Sequence, residues 1–518
     1  MWVFPEIRFL GDSIAYHARR DGQRPALRYD GRNTSYADLE ATSNQLARAL
    51  LAEGVVRHQR VIYLGKNSED FFLAIFAAAK IGACLVPLNW RLTAPEMSTV
   101  IADIDAHYAI IDREFEPLWL GMAAAHREIP AHRIDARDTL RQWCMTQAVT
   151  APDVTLDDDD PVIALYTSGT TGLPKGVLHT HGSFNRSRHS EHLEKAYEWC
   201  DGDLFLNPLP NFHLLHIALS LQCLYNGVAI SLQKQFDPVQ VLAAIGAERP
   251  TLLVLTPTLI QMLLDHPDAA KTDFSSVRMT MYAGSPIALG LIMRAIKSMP
   301  GKFMQFYGQT ETSGPVCLLR PDEHDLRNEN RLKSCGRPLP LIELRIADPA
   351  GADVADGTPG ELLIKAPSSS AGYWRQPEQT SQQFRSGWYH SGDIAYRDAD
   401  GLYYIYDRIK DMIITGGENV YAAEVESAIS THSDVAAVAV VGVPDERWGE
   451  AVKAIVIPRA GSAPSSEALI AHCRGVLSPY KIPKSIDFIS AFPMTGSGKV
   501  SKKELRAPYW TKHDRAVS

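Results

Sequence analysis

The spacing of apolar residues in the first third of the chain predicts helices and strands in alternation. Residues 37–54 have leucines at helical spacing and end at a glycine, which predicts a helix. Residues 60–64 form a short apolar run typical of a buried strand, and residues 68–81, rich in Phe and Ala, predict a second helix. Residues 93–96 have the Thr-x-x-Glu pattern of a capping box, so another helix should begin there. This alternation favours a βαβ architecture.

Short apolar runs continue through the middle of the chain. Residues 206–216 interrupt them, because two prolines and two asparagines predict a loop, which would present His213 and His216. A lone histidine is more often structural than catalytic, so neither residue identifies a site by itself. Four runs predict buried strands: residues 161–165, 251–256, 279–283 and 303–307.

Proline, glycine and short alternating strands become frequent after residue 330, which predicts a small antiparallel β subdomain. Roughly the last hundred residues alternate strand and helix again and are typical of a separate α+β domain. We therefore predict an α/β protein whose large N-terminal domain of βαβ layers, residues 1–407, includes the antiparallel β subdomain. Residues 408–411 would be a hinge, and residues 412–518 would form a small, mobile α+β C-terminal domain.

Composition narrows the class of protein. The 518 residues are 45% hydrophobic and 22% charged, as in an ordinary globular protein that needs at least two cores. The net charge of −8, without a basic block, argues against nucleic acid as a partner. Seven scattered cysteines without a C-x-x-C pair give no sign of zinc and suggest a reduced compartment. With no signal peptide and no transmembrane segment expected, we predict a cytoplasmic protein.

The most informative stretch is YTSGTTGLPKG, from Tyr166 to Gly176, directly behind a predicted buried strand. Its glycines, hydroxyls and Lys175 offer many N–H and O–H donors with little side-chain bulk, which suits an anion with several oxygens. It differs from the usual P-loop, because Pro174 precedes the lysine and no Ser or Thr follows it. The alternative is an ordinary surface turn.

Four further places offer candidate chemistry. Residues 284–286 form a tight turn after a strand, where backbone can approach a flat ligand. Glu311 follows the strand ending at residue 307, at the edge where open α/β sheets usually bind ligands. Asp393 follows a glycine, and Lys499 lies in a glycine-flanked loop. A surface lysine alone is more often without a role.

Nine segments together resemble the adenylate-forming superfamily, in family order and at family-like spacing. The segments are YTSGTTGLPKG, YAGSPI, YGQTE, GELLIKAP…GYW, GWYHSGD, DRIKDMIITGGENVYAAEVE, VPDERWGEAV, YKIPK and TGSGKV. The superfamily includes acyl-CoA synthetases, aryl-CoA ligases, peptide-synthetase adenylation domains and beetle luciferases. The chain is most similar to the fatty-acyl and aryl CoA ligases.

The resemblance implies an ATP site. Thr167 and Glu311 match magnesium ligands, His213 matches a position beside the substrate carboxyl, and Lys499 matches the catalytic lysine that bridges that carboxyl and the ATP α-phosphate. Residues 168–175 would hold the β- and γ-phosphates, residues 284–286 and Tyr307 the adenine, and Asp393 and Arg408 the ribose. The implied nucleotide-binding residues are Thr167, Ser168, Gly169, Thr170, Thr171, Gly172, Lys175, Gly284, Ser285, Pro286, Tyr307, Gly308, Gln309, Thr310, Asp393, Arg408 and Lys499.

The resemblance also implies an acceptor site and a hinge. Lys410 matches the hinge position, and Ile482 departs from relatives that carry arginine there. The residues matching contacts to coenzyme A are Arg91, Gly416, Gly417, Trp448, Tyr480 and Lys484. The residues expected to line the acid pocket are His213, Leu214, Tyr282, Ala283, Gly284, Thr312 and Gly314.

The implied reaction is the activation of a small-molecule carboxylic acid with ATP and Mg²⁺, followed by transfer of the acyl group to CoA. The apolar or small wall residues favour a hydrophobic monocarboxylate: fatty, aromatic, or alicyclic such as a steroid side chain. Two alternatives are an enzyme that loads a carrier protein's phosphopantetheine and a catalytically silent binding homologue. A role in fatty-acid and lipid metabolism and a homodimer are compatible with the resemblance.

Overall fold

The computed structural model describes residues 4, 6–122, 124–168, 174–416, 418–474, 476–494 and 500–510, with Ala124, Ala125 and Ser168 given by their backbone alone. Within these ranges no helix is both long and apolar enough to cross a membrane. Contacts divide the chain into two compact units, the first made of Met1–Leu344 and Ile364–Tyr389, the second of Arg345–Leu363 and His390–Ser518. The predicted hinge, residues 408–411, lies within the second unit, and the predicted domain boundaries stay a prediction.

Helices and strands alternate through most of the described chain. The helices are α1 (Asp12–Asp21), α2 (Tyr36–Ala52), α3 (Glu69–Lys80), α4 (Ala94–Ile104), α5 (Glu116–Leu120), α6 (Ala124–Arg127), α7 (Leu140–Cys144), α8 (His181–Leu193), α9 (Leu214–Tyr225), α10 (Pro238–Glu248), α11 (Pro257–Asp265), α12 (Leu289–Ser298), α13 (Pro377–Gln383), α14 (Ala422–Ser430), α15 (Ser466–Arg474) and α16 (Lys502–Arg506). The strands are β1 (Pro25–Tyr29), β2 (Arg32–Ser35), β3 (Arg60–Leu64), β4 (Cys84–Pro87), β5 (Tyr108–Asp112), β6 (Ala131–Ile134), β7 (Pro161–Ser168), β8 (Pro174–Thr180), β9 (Leu204–Asn207), β10 (Ala229–Leu232), β11 (Leu252–Leu255), β12 (Met279–Tyr282), β13 (Lys302–Tyr307), β14 (Cys317–Leu319), β15 (Arg337–Pro338), β16 (Glu343–Ala347), β17 (Gly360–Lys365), β18 (Phe384–Arg385), β19 (Trp388–Arg397), β20 (Tyr403–Arg408), β21 (Ile413–Thr415), β22 (Glu418–Val420), β23 (Val435–Asp445), β24 (Gly449–Pro458) and β25 (Ser485–Phe488).

Local capping signals begin several helices of the first unit. Ser68 precedes α3, and its hydroxyl accepts the N–H of Phe71. Thr93 and Glu96 form the capping box at the start of α4, as predicted. Such side chains satisfy N–H groups that the first helical turn cannot pair, so the sequence determines these starts locally.

A nine-stranded sheet in the first unit has the order β15-β14-β13-β12-β11-β9-β10-β1-β2. Neighbours from β13 to β1 are parallel, and antiparallel strands lie only towards the two edges. Helices α10 to α12 bury their apolar faces against β11 and β12, with Val241, Leu253 and Ile260 in the shared core. Because β12 and β13 are parallel neighbours, residues 283–286 and 308–312 leave the sheet at the same edge.

A six-stranded sheet in the same unit has the order β6-β5-β3-β4-β7-β8. Its strands are parallel except for β7 and β8, which pair antiparallel as a hairpin. Helix α4 packs its apolar face on this sheet through Met97 and Ile101. The segment between β7 and β8, residues 169–173, lies outside the described residues.

The second unit contains antiparallel strands and an α+β core. Strand β20 pairs antiparallel with β19 from Asp393↔Arg408 to Arg397↔Tyr403. A separate sheet has the order β22-β21-β24-β23, with β25 parallel to β24. Helices α14 and α15 pack on it through Val425 and Leu469. The predicted α/β fold, with an antiparallel β part and a C-terminal α+β part, is confirmed.

One prediction about the first unit is wrong. Residues 206–216 were expected to be a loop, but α9 begins at Leu214, so His216 lies in a helix. The His216 ring is fully buried, with its centroid 5.9 Å from those of both Phe71 and Phe72. The apolar run that follows His213 explains the helix, because it buries nearly every side chain of α9.

Candidate active site

The predicted phosphate loop lies between β7 and β8 in the sequence, and its residues 169–173 are outside the described part of the chain. Thr167 on β7 lies opposite Lys175 on β8, next to the last described pair, Ser168 and Pro174. The Lys175 side chain is only 8% exposed, and burial lowers the pKa of its ammonium group while Glu311 opposes that shift. The hairpin therefore brings a hydroxyl and a buried cation to the base of residues 169–173.

Glu311 stands in a short 3₁₀ turn, Thr310–Thr312, directly after β13. The buried hydroxyl of Thr312 lies 2.8 Å from the carbonyls of both Gln309 and Gly314, and the Gln309 N–H donates to it. Thr312, expected in the acid pocket, thus has its hydroxyl engaged by the turn's own backbone. These contacts fix the shape of the turn that carries Glu311.

Tyr373 connects this turn to the phosphate hairpin. Its hydroxyl donates to Glu311 Oε1 at 3.0 Å, and the Lys175 Nζ lies 5.4 Å from the centre of its ring. The Ser370 N–H also donates to the Glu311 carbonyl at 2.8 Å. The structure therefore joins two residues that the resemblance assigned separately to the phosphates and to the metal.

The donors of Thr167 and Glu311 fit a magnesium ion. A hydroxyl and a carboxylate are the hard oxygen ligands that Mg²⁺ prefers, and phosphate oxygens and water commonly complete its octahedron. Among the described residues there is no group of three or more His, Cys, Asp or Glu side chains suited to a metal. Two protein oxygens would leave the other positions of an octahedron to phosphate oxygens and water.

The predicted adenine turn follows β12. Gly284 has a left-handed φ of 94°, and residues 284–286 are exposed or half-exposed at the same sheet edge as Tyr307, the last residue of β13. Tyr282, expected as a pocket wall, is fully buried, and its hydroxyl lies 3.0 Å from His324 Nε2. Burial raises the pKa of that phenol.

His213 and Arg91 both lie near the Phe212 ring. The centroids of His213 and Phe212 are 4.5 Å apart, and the Arg91 guanidinium lies 5.7 Å from the centre of the Phe212 ring. His213 is also the N-cap residue of α9, and Leu214 is its first helical residue. Burial lowers the pKa of Arg91.

Two of the expected wall residues, Ala283 and Gly314, are small. A Cβ on Gly314 would lie 2.7 Å from the Ser187 hydroxyl of α8, so only glycine fits there without movement. Ala283 is 7% exposed and follows β12 directly. The other expected wall residues, Leu214 and Gly284, lie at the start of α9 and in the turn after β12.

Within the second unit, the two predicted ribose residues face each other. Asp393 and Arg408 are register partners on β19 and β20, and Arg408 Nε lies 3.3 Å from Asp393 Oδ1. Asp393 is buried, whereas the Arg408 side chain is about half exposed. The pairing restrains the Asp393 carboxylate.

Two predicted CoA residues of the second unit are in contact. Gly416 has a φ of 60°, its N–H donates to the Trp448 carbonyl at 2.8 Å, and a Cβ there would lie 2.7 Å from the indole. Trp448 and Tyr480 are 41% and 39% exposed, and Lys484 is exposed. Ile482 packs instead against the apolar core of this unit.

Lys410 is the middle residue of a 3₁₀ turn, Ile409–Asp411, and its carbonyl accepts a bond from Arg506 at 3.4 Å. Burial lowers the pKa of its ammonium group, with Arg408 acting in the same direction. Several predicted site residues lie outside the described residues, as does the Ser168 side chain: Gly169, Thr170, Thr171, Gly172, Gly417 and Lys499. Their implied roles stay predictions.

Sequence reasoning did not assign a role to Tyr373, Ser370 or His179. Tyr373 belongs to the GYW segment that carried part of the resemblance, and this segment was the available signal. His179 Nδ1 lies 2.8 Å from the Ser313 hydroxyl, next to the turn that carries Glu311. Burial lowers the pKa of His179 to about 3, so its ring is neutral.

Comparison with known proteins identifies the family of the chain. A family model described as AMP-binding enzyme matches residues 14–374, and one described as AMP-binding enzyme C-terminal domain matches residues 424–499. The fatty acid–[acyl-carrier-protein] ligase ScoC of Streptomyces coeruleorubidus is 36% identical over 520 residues, which cover 99% of each chain. A feruloyl-CoA synthase of an Amycolatopsis species is 37% identical over 499 residues, covering 96% of this chain and 98% of the relative.

A solved structure of a CoA ligase is also similar to this chain. The anthranilate CoA ligase AuaEII in complex with anthranoyl-AMP has a TM-score of 0.89 and 26% identity, covering 98% of each chain. The family match extends over most of the chain and includes the phosphate hairpin, the Glu311 turn and Tyr373. The chain therefore belongs to the adenylate-forming superfamily and is an AMP-forming ligase of the acyl-CoA synthetase type.

Proposed function

We propose that the enzyme joins a hydrophobic monocarboxylic acid to coenzyme A in two steps. The acid carboxylate attacks the α-phosphorus of ATP and releases pyrophosphate, and the CoA thiol then attacks the acyl carbon and releases AMP. The observation that carries the proposal is that Lys175 and Glu311 both contact Tyr373. Lys175, on β8, lies over its ring, and Glu311, in the turn after β13, accepts a bond from its hydroxyl. A cation beside a carboxylate is the pair that a triphosphate and its metal require.

The chemistry needs no nucleophilic side chain, because the substrate carboxylate is itself the nucleophile. The obstacle is the repulsion between that carboxylate and the phosphates, so the enzyme must supply positive charge. Lys175 would bind the outer phosphates, and Lys499 would bridge the carboxylate and the α-phosphate. Mg²⁺ bound at Thr167 and Glu311 would neutralise charge on the departing pyrophosphate.

His213 is proposed to lie beside the substrate carboxylate. It is the N-cap residue of α9, and a helix N-terminus, with its unpaired N–H groups and dipole, favours a negative charge. The proposed wall residues Leu214, Ala283 and Gly314 are apolar or small, which suits a hydrophobic acid. We include fatty, aromatic and alicyclic acids in this class.

Coenzyme A is the proposed acyl acceptor. Trp448 and Tyr480 are large aromatic side chains that stay exposed, with Lys484 nearby in sequence, and aromatic rings with a lysine suit a nucleotide with its phosphates. The second candidate acceptor is the phosphopantetheine of a carrier protein. It is favoured by the close relation to ScoC, which is named for that acceptor.

One experiment tests the reaction and separates the acceptors. The enzyme is incubated with Mg-ATP and a panel of fatty, aromatic and alicyclic acids, and pyrophosphate and AMP are measured separately. Free CoA should raise AMP release and yield an acyl-CoA, whereas a holo-carrier protein at equal concentration should yield little thioester. Preferential loading of the carrier would support the second candidate, and the absence of acid-dependent pyrophosphate release would refute both.

The two steps are proposed to use different arrangements of the C-terminal domain. Lys499 would serve the first step, and residues 416–417 would line the path of the pantetheine in the second. Residues 408–411 would act as the hinge, because a few linker residues must absorb the change in backbone dihedrals.

A further inference from the structure

Residues 370–374 connect the two halves of the phosphate site. The Ala371 N–H donates to the Leu178 carbonyl at 2.9 Å, and the Trp374 N–H donates to the Gly176 carbonyl at 2.8 Å. Tyr373 itself forms an antiparallel bridge with Val177, two residues beyond Lys175. This segment is therefore held to β8 by backbone bonds, and its position is fixed relative to the phosphate hairpin.

The same segment also holds the Glu311 turn. The Ser370 N–H binds the Glu311 carbonyl, and the Tyr373 hydroxyl binds Oε1 of the Glu311 carboxylate. One bond fixes the backbone of this residue, and the other fixes its side chain. Tyr373 is only 8% exposed, so its ring cannot swing away from the carboxylate without disturbing its neighbours.

A carboxylate on a turn needs such a partner. A glutamate has three rotatable side-chain bonds and loses considerable freedom when it is fixed in one geometry. A hydroxyl donor to an ionised carboxylate makes a stronger bond than one between neutral groups. The Lys175 ammonium over the face of the same ring adds a cation–π contact, so one side chain orients both charged groups.

We propose that Tyr373 is a positioning residue for the magnesium-ATP site: its hydroxyl aims the Glu311 carboxylate and its ring supports Lys175. The proposal rests on the proposed function of Glu311 as a magnesium ligand. It assigns Tyr373 no contact with substrate and no part in proton transfer. Its effect is exerted through Glu311 and is therefore measurable as a coupling between the two residues.

The test uses Tyr373→Phe in the full-length enzyme, which removes one oxygen and keeps the ring under Lys175. ATP binding is measured by calorimetry over a range of Mg²⁺ concentrations and compared with Mn²⁺ binding followed by electron paramagnetic resonance. We expect the half-saturating metal concentration to rise roughly 10- to 100-fold, the scale of one hydrogen bond to a charged group. Single-turnover pyrophosphate release should fall similarly and recover partly at high Mg²⁺.

Tyr404→Phe is the matched control. Tyr404 is also 8% exposed, and its hydroxyl donates to the Asp398 carboxylate at 2.9 Å, in the second unit. It should cost comparable thermal stability and leave the metal dependence within about twofold of wild type. Thermal unfolding of both variants confirms that each is folded.

A double-mutant cycle with Glu311→Gln decides between positioning and general packing. With the charge at 311 removed, Tyr373→Phe should change metal affinity by less than about twofold. An equal effect in both backgrounds, or an unchanged metal dependence in the single variant, would overturn the inference. A wild-type enzyme whose ATP binding ignores Mg²⁺ would instead refute the proposed role of Glu311, and the inference with it.

Discussion

Gly308→Ala should disable the site without touching a ligand-binding side chain. Gly308 does not have a left-handed φ, so alanine suits its backbone conformation. However, a Cβ there would lie 2.5 Å from the Gly314 carbonyl oxygen and 3.1 Å from Pro315 Cα. These are backbone atoms, which cannot move aside as the end of a flexible side chain can.

The size of the effect follows from that geometry. Ordinary contact begins at 3.4 Å. The two backbone segments must therefore separate by about 0.9 Å, and a misplacement of about 1 Å costs roughly 100-fold in rate. The Gly314 carbonyl lies 2.8 Å from the Thr312 hydroxyl, so its displacement disturbs the turn that carries Glu311. Overpacking of this kind also costs about 1–3 kcal/mol of stability.

The assay is single-turnover pyrophosphate release with an acid that the wild-type enzyme uses, together with thermal unfolding. Gly246→Ala is the control, because Gly246 lies in α10. Beyond its chain neighbours and the nearby backbone of its own helix, no atom of the described residues lies within 4 Å of the place that an alanine methyl would take. That change should stabilise the protein by about 0.5–1 kcal/mol and leave activity intact. Pyrophosphate release by Gly308→Ala within about threefold of wild type would refute the reasoning.

Three further predictions concern other parts of the chain. Lys499→Ala should lower acid-dependent pyrophosphate release by about two to three orders of magnitude. Lys484→Ala should impair only the transfer of the acyl group to CoA. Equal loss in both half-reactions for both variants would contradict these roles. Lys410→Pro fixes the φ angle of Lys410 and disfavours the helical backbone of Ile409. The variant should keep single-turnover pyrophosphate release but lose acyl transfer to CoA from preformed acyl-adenylate, whereas Lys410→Ala should stay near wild type. Normal transfer by Lys410→Pro would exclude Lys410 as the hinge. Burial lowers the pKa of His216 to about 3, below its usual 6.5, so its contribution to stability is present above pH 6.5 and is lost as pH falls towards 3. Between pH 7.5 and 5 the wild-type protein should therefore lose about 2 kcal/mol of unfolding free energy through His216, a loss that His216→Phe should not show. Denaturant midpoints at both pH values measure the difference, and the same pH dependence in the variant would contradict this.

Features encoded within a few residues were predictable from the sequence. The capping box of Thr93 and Glu96 needs only four residues, and the strand at residues 60–64 needs only its own apolar run. The assignment of Thr167 and Glu311 to one site came from the family resemblance, because no local pattern relates them. The metal and nucleotide roles of these residues stay proposals.

Features that depend on distant pairing were not predictable. Tyr373 meets Glu311 across 62 residues, and that contact depends on the register with which residues 370–374 lie on β8. The antiparallel return of β8 was also missed, because the hydroxyl-rich stretch between it and β7 gives no sign of the next strand's direction. His216 was misplaced because the prolines before it suggested a longer loop than the structure has.

The position of β8 also has a consequence for the synthesis of the chain. β8 is the last strand in its sheet, and its outer backbone groups are bonded by residues 371, 372 and 374 rather than by another strand. Exposed edge strands are templates for pairing with other chains, and residues 177–178 are apolar. The covering segment is translated about 200 residues after β8. At ribosomal speeds, the outer edge of β8 therefore stays unpaired for roughly 10–40 s. During that interval the nascent chain depends on its surroundings, rather than on its own fold, to avoid aggregation.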